Sequence, residues 1–99
     1  MVSSNRPPGK SGDDKISFPV LHSLNPVTNV ATIVAQFKGE RILCRVKIED
    51  LRKKYRVFQG EPMQIVVDNR AEIENASRKL IESGQIDNDR SVMITYKDL

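Results

Sequence analysis

The sequence contains few of the residues that catalysis, metal binding and secretion usually require. Its 99 residues include one cysteine, Cys44, and one histidine, His22. A single cysteine cannot form an internal disulfide, and the two residues together fall short of the roughly four ligands of a structural zinc site. One histidine also leaves no nucleophile with a positioned base and orienting group. We therefore predict no catalytic site, no metal and no cofactor.

Long apolar runs are missing as well. No stretch of about eighteen consecutive apolar residues is present, so no segment is predicted to span a membrane. Residues 1–6 are followed by Pro, Gly, Lys and Asp, where a signal peptide would have its apolar core. With only one thiol, the expected location is the reducing cytoplasm, and no membrane partner is expected.

The first fourteen residues differ in composition from the rest. Residues 1–14 are rich in Ser, Pro, Gly and charged side chains, so they cannot bury enough surface to offset the entropy of ordering. We predict a disordered tail over 1–14 and a single domain over 15–99. The tripeptide Gly9-Lys10-Ser11 matches the end of a phosphate-binding loop, but Ser4 stands where that loop needs its first glycine. Nucleotide binding is not predicted.

Two stretches of alternating hydrophobicity predict a β-hairpin. Residues 28–37 and 41–47 alternate with a period of two, and the segment between them has a central glycine typical of a short turn. In the second stretch Ile42, Cys44 and Val46 share one face. The other face carries three basic residues, namely Arg41, Arg45 and Lys47. Residues 16–18 can add a short leading strand that ends at Pro19, which lacks a backbone donor.

After residue 47 the apolar spacing changes to that of helices. A stripe with spacings of three, four and three predicts a first helix that ends before Gly60; its members are Ile48, Leu51, Tyr55 and Phe58. A second helix ends near Ser83. The sequence allows two starting points for this helix. Residues 63–67 are rich in β-branched side chains and could form a strand, after which Asn69 would cap the helix. Alternatively, Pro62 suits the first position of one long helix.

Together the elements predict an α+β domain. A final strand alternates at Val92, Ile94 and Tyr96. The expected sheet is antiparallel with three or four strands in the order β-β-α-α-β, and two helices cover one of its faces. The predicted core consists of Ala31, Ile33, Phe37, Ile42, Cys44, Val46, Leu51, Tyr55, Phe58, Ile73, Leu80, Val92 and Ile94.

Four motifs follow one another in an order that resembles a known family. They are Ile16-Ser17-Phe18-Pro19, then Ile42-x-Cys44-x-Val46-x-x-Glu49-x-Leu51, then Asn69-Arg70-x-x-Ile73-Glu74-x-x-Ser77 with Leu80-Ile81, and finally Val92-x-Ile94-Thr95 with Asp98. This chain is similar over residues 15–98 to the short bacterial proteins known as domain of unknown function 1488. It departs from them in lacking an early tryptophan and in having Val66 where an aromatic residue is frequent. The resemblance implies the long second helix, and it implies no activity or site residue.

Charge is distributed unevenly along the chain. The net charge is +3, yet residues 38–56 contain eight basic and three acidic side chains, and residues 57–99 contain five basic and eight acidic ones. Such asymmetry favours a negatively charged partner. The candidate binding surface comprises the strand residues Arg41, Arg45 and Lys47 together with Arg52, Lys53 and Arg56 on the solvent side of the first helix.

These residues favour a small non-catalytic domain that contacts nucleic acid or an acidic protein surface through residues 41–56. No aromatic residue interleaves the strand face, so a stacking platform for single-stranded nucleic acid is not predicted. The alternative is a protein-interaction or self-associating module, a homo-oligomer in which the basic middle docks on the acidic C-terminal part. A small enzyme is the third hypothesis, supported only by isolated polar residues. A run of charge is, moreover, often just a solvated surface.

Overall fold

A computed structural model describes residues 15–99. The predicted tail and the Gly9-Lys10-Ser11 segment therefore lie outside the described residues. The strands are β1 (Ile16–Ser17), β2 (His22–Asn25), β3 (Val30–Phe37), β4 (Glu40–Lys47) and β5 (Ser91–Ile94). The α-helices are α1 (Ile48–Tyr55), α2 (Pro62–Asp68) and α3 (Arg70–Glu82), and a short 3₁₀-helix, Tyr96–Asp98, follows β5. No helix in this part of the chain is long and apolar enough to cross a bilayer.

The centre of the sheet is the predicted hairpin. β3 and β4 pair antiparallel from Val30 opposite Lys47 to Phe37 opposite Glu40. Their two-residue turn places Lys38 and Gly39 at positive φ, 53° and 77°, the backbone twist that tight hairpins require. The predicted leading strand is present as β1, whereas β2 was not predicted, and the two pair with successive parts of β3 on either side of Pro19. The sheet therefore has five strands where three or four were predicted.

The direction of the last strand corrects the antiparallel prediction. β5 lies parallel to β4, with Leu43 opposite Ser91 and Val46 opposite Ile94, and the sheet is therefore mixed. The physical reason is the connection: the helical segment between β4 and β5 carries the chain back to the starting end of β4, and such a crossover is how parallel neighbours are joined.

The second helical region follows the long-helix solution with one interruption. Pro62 occupies the first turn as predicted, and the alternative strand at 63–67 is wrong. At Asn69 the backbone leaves helical geometry, with φ −116° and ψ 23°, so the region forms α2 and α3 and the domain has three α-helices where two were predicted. The Ile65 carbonyl accepts both the backbone N–H of Asn69, at 3.1 Å, and the Asn69 side-chain amide, at 2.9 Å, so Asn69 ends α2 with two bonds to the same oxygen.

The helices cover one face of the sheet and form the core with it. Most predicted core residues are buried there, and Phe37 and Tyr55 pack against it half-buried. Phe58 is the exception, because it is 67% exposed. Helix α1 ends at Tyr55, and Arg56 takes the left-handed conformation with φ 57°, so the helical spacing no longer applies at residue 58.

Candidate binding surface

One face of the sheet is left open by the three helices. Strand alternation turns every second residue away from the core, so neutral side chains of β3 lie beside basic ones of β4. Thr32 stands opposite Arg45, and Gln36 opposite Arg41. We call this surface the open face. It consists of Val30, Thr32, Val34, Gln36, Arg41, Leu43, Arg45, Lys47 and Met93.

A groove runs across the open face beside β2. Two adjoining depressions of about 710 and 310 Å³ share Ser23, Thr32 and Arg45 in their walls. The larger one extends to Met93, and the smaller one contains apolar side chains including Leu43. We call the combined depression the Arg45 groove. It places one guanidinium among hydroxyl and apolar groups.

The strand part of the predicted basic surface lies together on this face. Arg45 is 38% exposed, and its Nη1 lies 3.6 Å from Oδ2 of Asp89. Arg41 and Lys47 are exposed, and neither forms an ion pair within residues 15–99. Alternation along β4 was therefore sufficient to group these three side chains.

The helical part of the predicted surface lies on the other layer of the domain. Arg52 was predicted on the solvent side, but it is half-buried, and its guanidinium donates to the carbonyls of Val57 at 3.2 Å and Gly60 at 3.1 Å. Its role is to hold the segment after α1. Lys53 pairs with Glu49 one helical turn away, at 3.7 Å. Arg56 is exposed at the end of α1. The six predicted residues thus form two separate groups.

Two side chains with catalytic potential, those of Cys44 and Tyr55, have buried polar atoms. Cys44 is fully buried, and burial raises the pKa of its thiol, an effect that the nearby Ser77 side chain only partly opposes. The hydroxyl of Tyr55 is buried without a hydrogen-bond partner among residues 15–99, and burial, followed by the nearby Glu72 carboxylate, raises its pKa. No cluster of three or more His, Cys, Asp or Glu in these residues could hold a metal ion.

A guanidinium network on α3 has no counterpart among the sequence predictions. Arg70 is 17% exposed, and its Nε pairs with Oε2 of Glu74 at 2.8 Å. Its Nη2 donates to the Pro19 carbonyl at 2.7 Å, and its Nη1 lies 3.3 Å from Nδ1 of His22. This network ties α3 to the segment joining β1 and β2. An i,i+4 spacing allows Arg70 and Glu74 to pair within the helix, but the contacts to Pro19 and His22 join parts of the chain that are far apart in sequence.

Comparison with known proteins identifies the fold. Neither a protein-family model nor a curated protein matches the chain. A crystal structure of a protein of unknown function from the DUF1488 family of Shewanella loihica PV-4 superposes with a TM-score of 0.71, covering 81% of this chain and 91% of that one at 20% identity. The resemblance predicted from the order of motifs is thus confirmed at the level of the fold. The protein has the α+β fold of a DUF1488 protein.

Proposed function

We propose that the protein is a non-catalytic binding module whose open face binds an acidic segment of another protein. The observation that carries this proposal is the Arg45 groove, in which a partly exposed guanidinium is surrounded by apolar and hydroxyl side chains. Arg41 and Lys47 add positive charge on the same face. An extended segment with alternating acidic and apolar side chains complements both features.

A protein partner fits this face better than nucleic acid. Binding to duplex DNA uses several phosphate contacts, whereas the open face offers three cations, one of which already faces Asp89. The helical cations lie on the other layer, and Arg52 is occupied by backbone carbonyls. None of the residues lining the Arg45 groove is Phe, Tyr or Trp, so bases would find no stacking surface.

An enzymatic function receives less support. The single thiol is buried and its pKa is raised. The single histidine, His22, lies against Arg70 instead of a nucleophile. A lone buried thiol is consistent with the cytoplasmic location we propose for the protein.

The proposal is tested by mapping binding onto the two basic groups. We would titrate ¹⁵N-labelled protein with a capped peptide of alternating Glu and Val, and separately with a short DNA duplex, at low and at physiological salt. The peptide should shift amide signals of the open face, Thr32, Leu43 and Arg45 among them, because these residues line the groove. Shifts confined to α1, or no response to the peptide, would contradict the proposal.

Two double variants separate local from general electrostatic effects. R41Q with K47Q removes two charges from the open face, and K53Q with R56Q removes two from the helical layer. Both lower the net charge equally, so only the first pair should weaken peptide binding substantially. Tighter binding to DNA with a steep salt dependence would favour the nucleic-acid hypothesis. A dimer that dissociates with added salt in sedimentation would favour the self-associating module.

A further inference from the structure

We infer that Asp89 is an internal competitor for the carboxylate of the ligand, and that Arg45 is the residue that recognises this carboxylate. The inference rests on the proposed function and assigns the ligand chemistry within the Arg45 groove. It concerns an acidic side chain of the partner segment, which would meet Arg45 at the position that Asp89 now approaches.

The ion pair between Arg45 and Asp89 is a weak one. The 3.6 Å separation between its Nη1 and Oδ2 of Asp89 exceeds the 2.7–2.9 Å or so of a charge-assisted hydrogen bond. Its cross-strand neighbours Thr32 and Met93 are uncharged. A guanidinium has five N–H donors, enough for a bidentate carboxylate. Most of the hydrogen-bonding capacity of Arg45 therefore remains available to a ligand.

Asp89, by contrast, is held firmly by its own turn. Its Oδ1 accepts a hydrogen bond from the Ser91 hydroxyl at 2.6 Å. The turn is closed by the Asp87 N–H donating to the Ser91 carbonyl at 2.8 Å and by the Arg90 N–H donating to the Asp87 carbonyl at 3.0 Å. Arg90 anchors the turn further through Glu40 at 3.2 Å. The turn, rather than Arg45, keeps the Asp89 carboxylate beside the groove.

This difference makes Asp89 a fixed charge that any ligand must overcome. An incoming carboxylate gains its bonds to Arg45 while experiencing repulsion from Asp89 at close range. An acidic segment that also fills the apolar part of the groove can overcome this repulsion. A small anion gains only the electrostatic attraction to Arg45, because it does not contact the apolar part of the groove. Asp89 thus lowers the affinity for every anion at Arg45, so a ligand needs further contacts in the groove to bind well.

The test compares two substitutions in the same turn. D89N removes the competing charge and keeps an oxygen that can accept the Ser91 hydrogen bond. D87N removes the same charge from a side chain that forms no ion pair within residues 15–99. With the Glu–Val peptide as probe, D89N should bind about two- to fivefold more tightly than the unmodified protein, the range that partly exposed ion pairs support. D87N should gain much less.

Arg45 provides the second arm of the experiment. R45Q should weaken peptide binding, and D89N should improve affinity much less in the R45Q background, because only the direct repulsion from Asp89 can be relieved there. Equal gains from D89N and D87N, or a full gain without Arg45, would overturn the competitor role while leaving the proposed function intact. If neither the unmodified protein nor D89N binds the peptide, the proposed function and this inference both fail.

Discussion

Replacing Arg70 by methionine tests how strongly the guanidinium network holds α3 against the β1–β2 segment. Methionine is about as long as the aliphatic stem of arginine and keeps its apolar packing, but it removes the charge and all the donors. The contacts to Glu74 and the Pro19 carbonyl are 2.8 and 2.7 Å long. Hydrogen bonds to charged groups contribute about 1.5–3 kcal/mol each.

The expected loss is smaller than the sum of the contacts. Glu74 is 27% exposed and can regain water when its partner is removed. We therefore expect R70M to lower the free energy of unfolding by about 2–3 kcal/mol. In a domain of this size that corresponds to a decrease in Tm of roughly 8–24 °C.

Urea and thermal unfolding followed by circular dichroism would measure both quantities. The matched control is K79M, which removes a positive charge from an exposed position of the same helix and should change stability by less than about 0.5 kcal/mol. R70K should give an intermediate loss, because lysine keeps the charge without the planar fork. Equal stabilities of R70M and K79M would refute the structural role of the network.

The remaining predictions concern Cys44 and α1. Cys44 should react slowly with a thiol reagent in native buffer and quickly in denaturant, as mass spectrometry would show; rapid native labelling would contradict its burial. Burial raises the pKa of Cys44 above the ordinary 9.0, so the unfolded chain releases the thiol proton at a lower pH than the folded protein does. The free energy of unfolding should therefore fall as the pH rises above about 9. Urea unfolding at about pH 7 and at about pH 10 should show a smaller fall for C44A than for the unmodified protein. R52A should cost about 1 kcal/mol through its lost bonds to carbonyls, whereas R56G should raise stability by up to about 1 kcal/mol in the same assay, because glycine tolerates the left-handed conformation.

Local patterns predicted the elements but not how they are connected in space. The alternation in residues 28–47 predicted the hairpin and its inward face, because side-chain direction in a strand depends only on position along it. The same pattern in residues 92–96 could not indicate whether β5 is parallel or antiparallel. The break at Asn69 depends on one residue's backbone within an otherwise helical sequence. Phe58 fits the helical stripe, yet the helix ends before it.

In the candidate site, too, the features set by neighbouring residues were predictable and those set by distant contacts were not. Arg41, Arg45 and Lys47 share a face because they alternate along one strand, and this was readable from the sequence. The half-burial of Arg52 depends on how the chain folds back after α1, where the Val57 and Gly60 carbonyls meet its guanidinium. No local pattern encodes that meeting.

The crossover between β4 and β5 also determines when the Arg45 groove comes into existence during folding. The β3–β4 hairpin joins residues that are close in sequence, and such contacts form early. β5 is separated from β4 by residues 48–90, so its docking has to wait for the chain between them to close on the sheet. Met93 and Asp89 belong to that late segment. A fluctuation that releases β5 would leave the hairpin intact while removing one wall of the groove and the charge beside Arg45. Only the completely folded domain would therefore have the complete binding site.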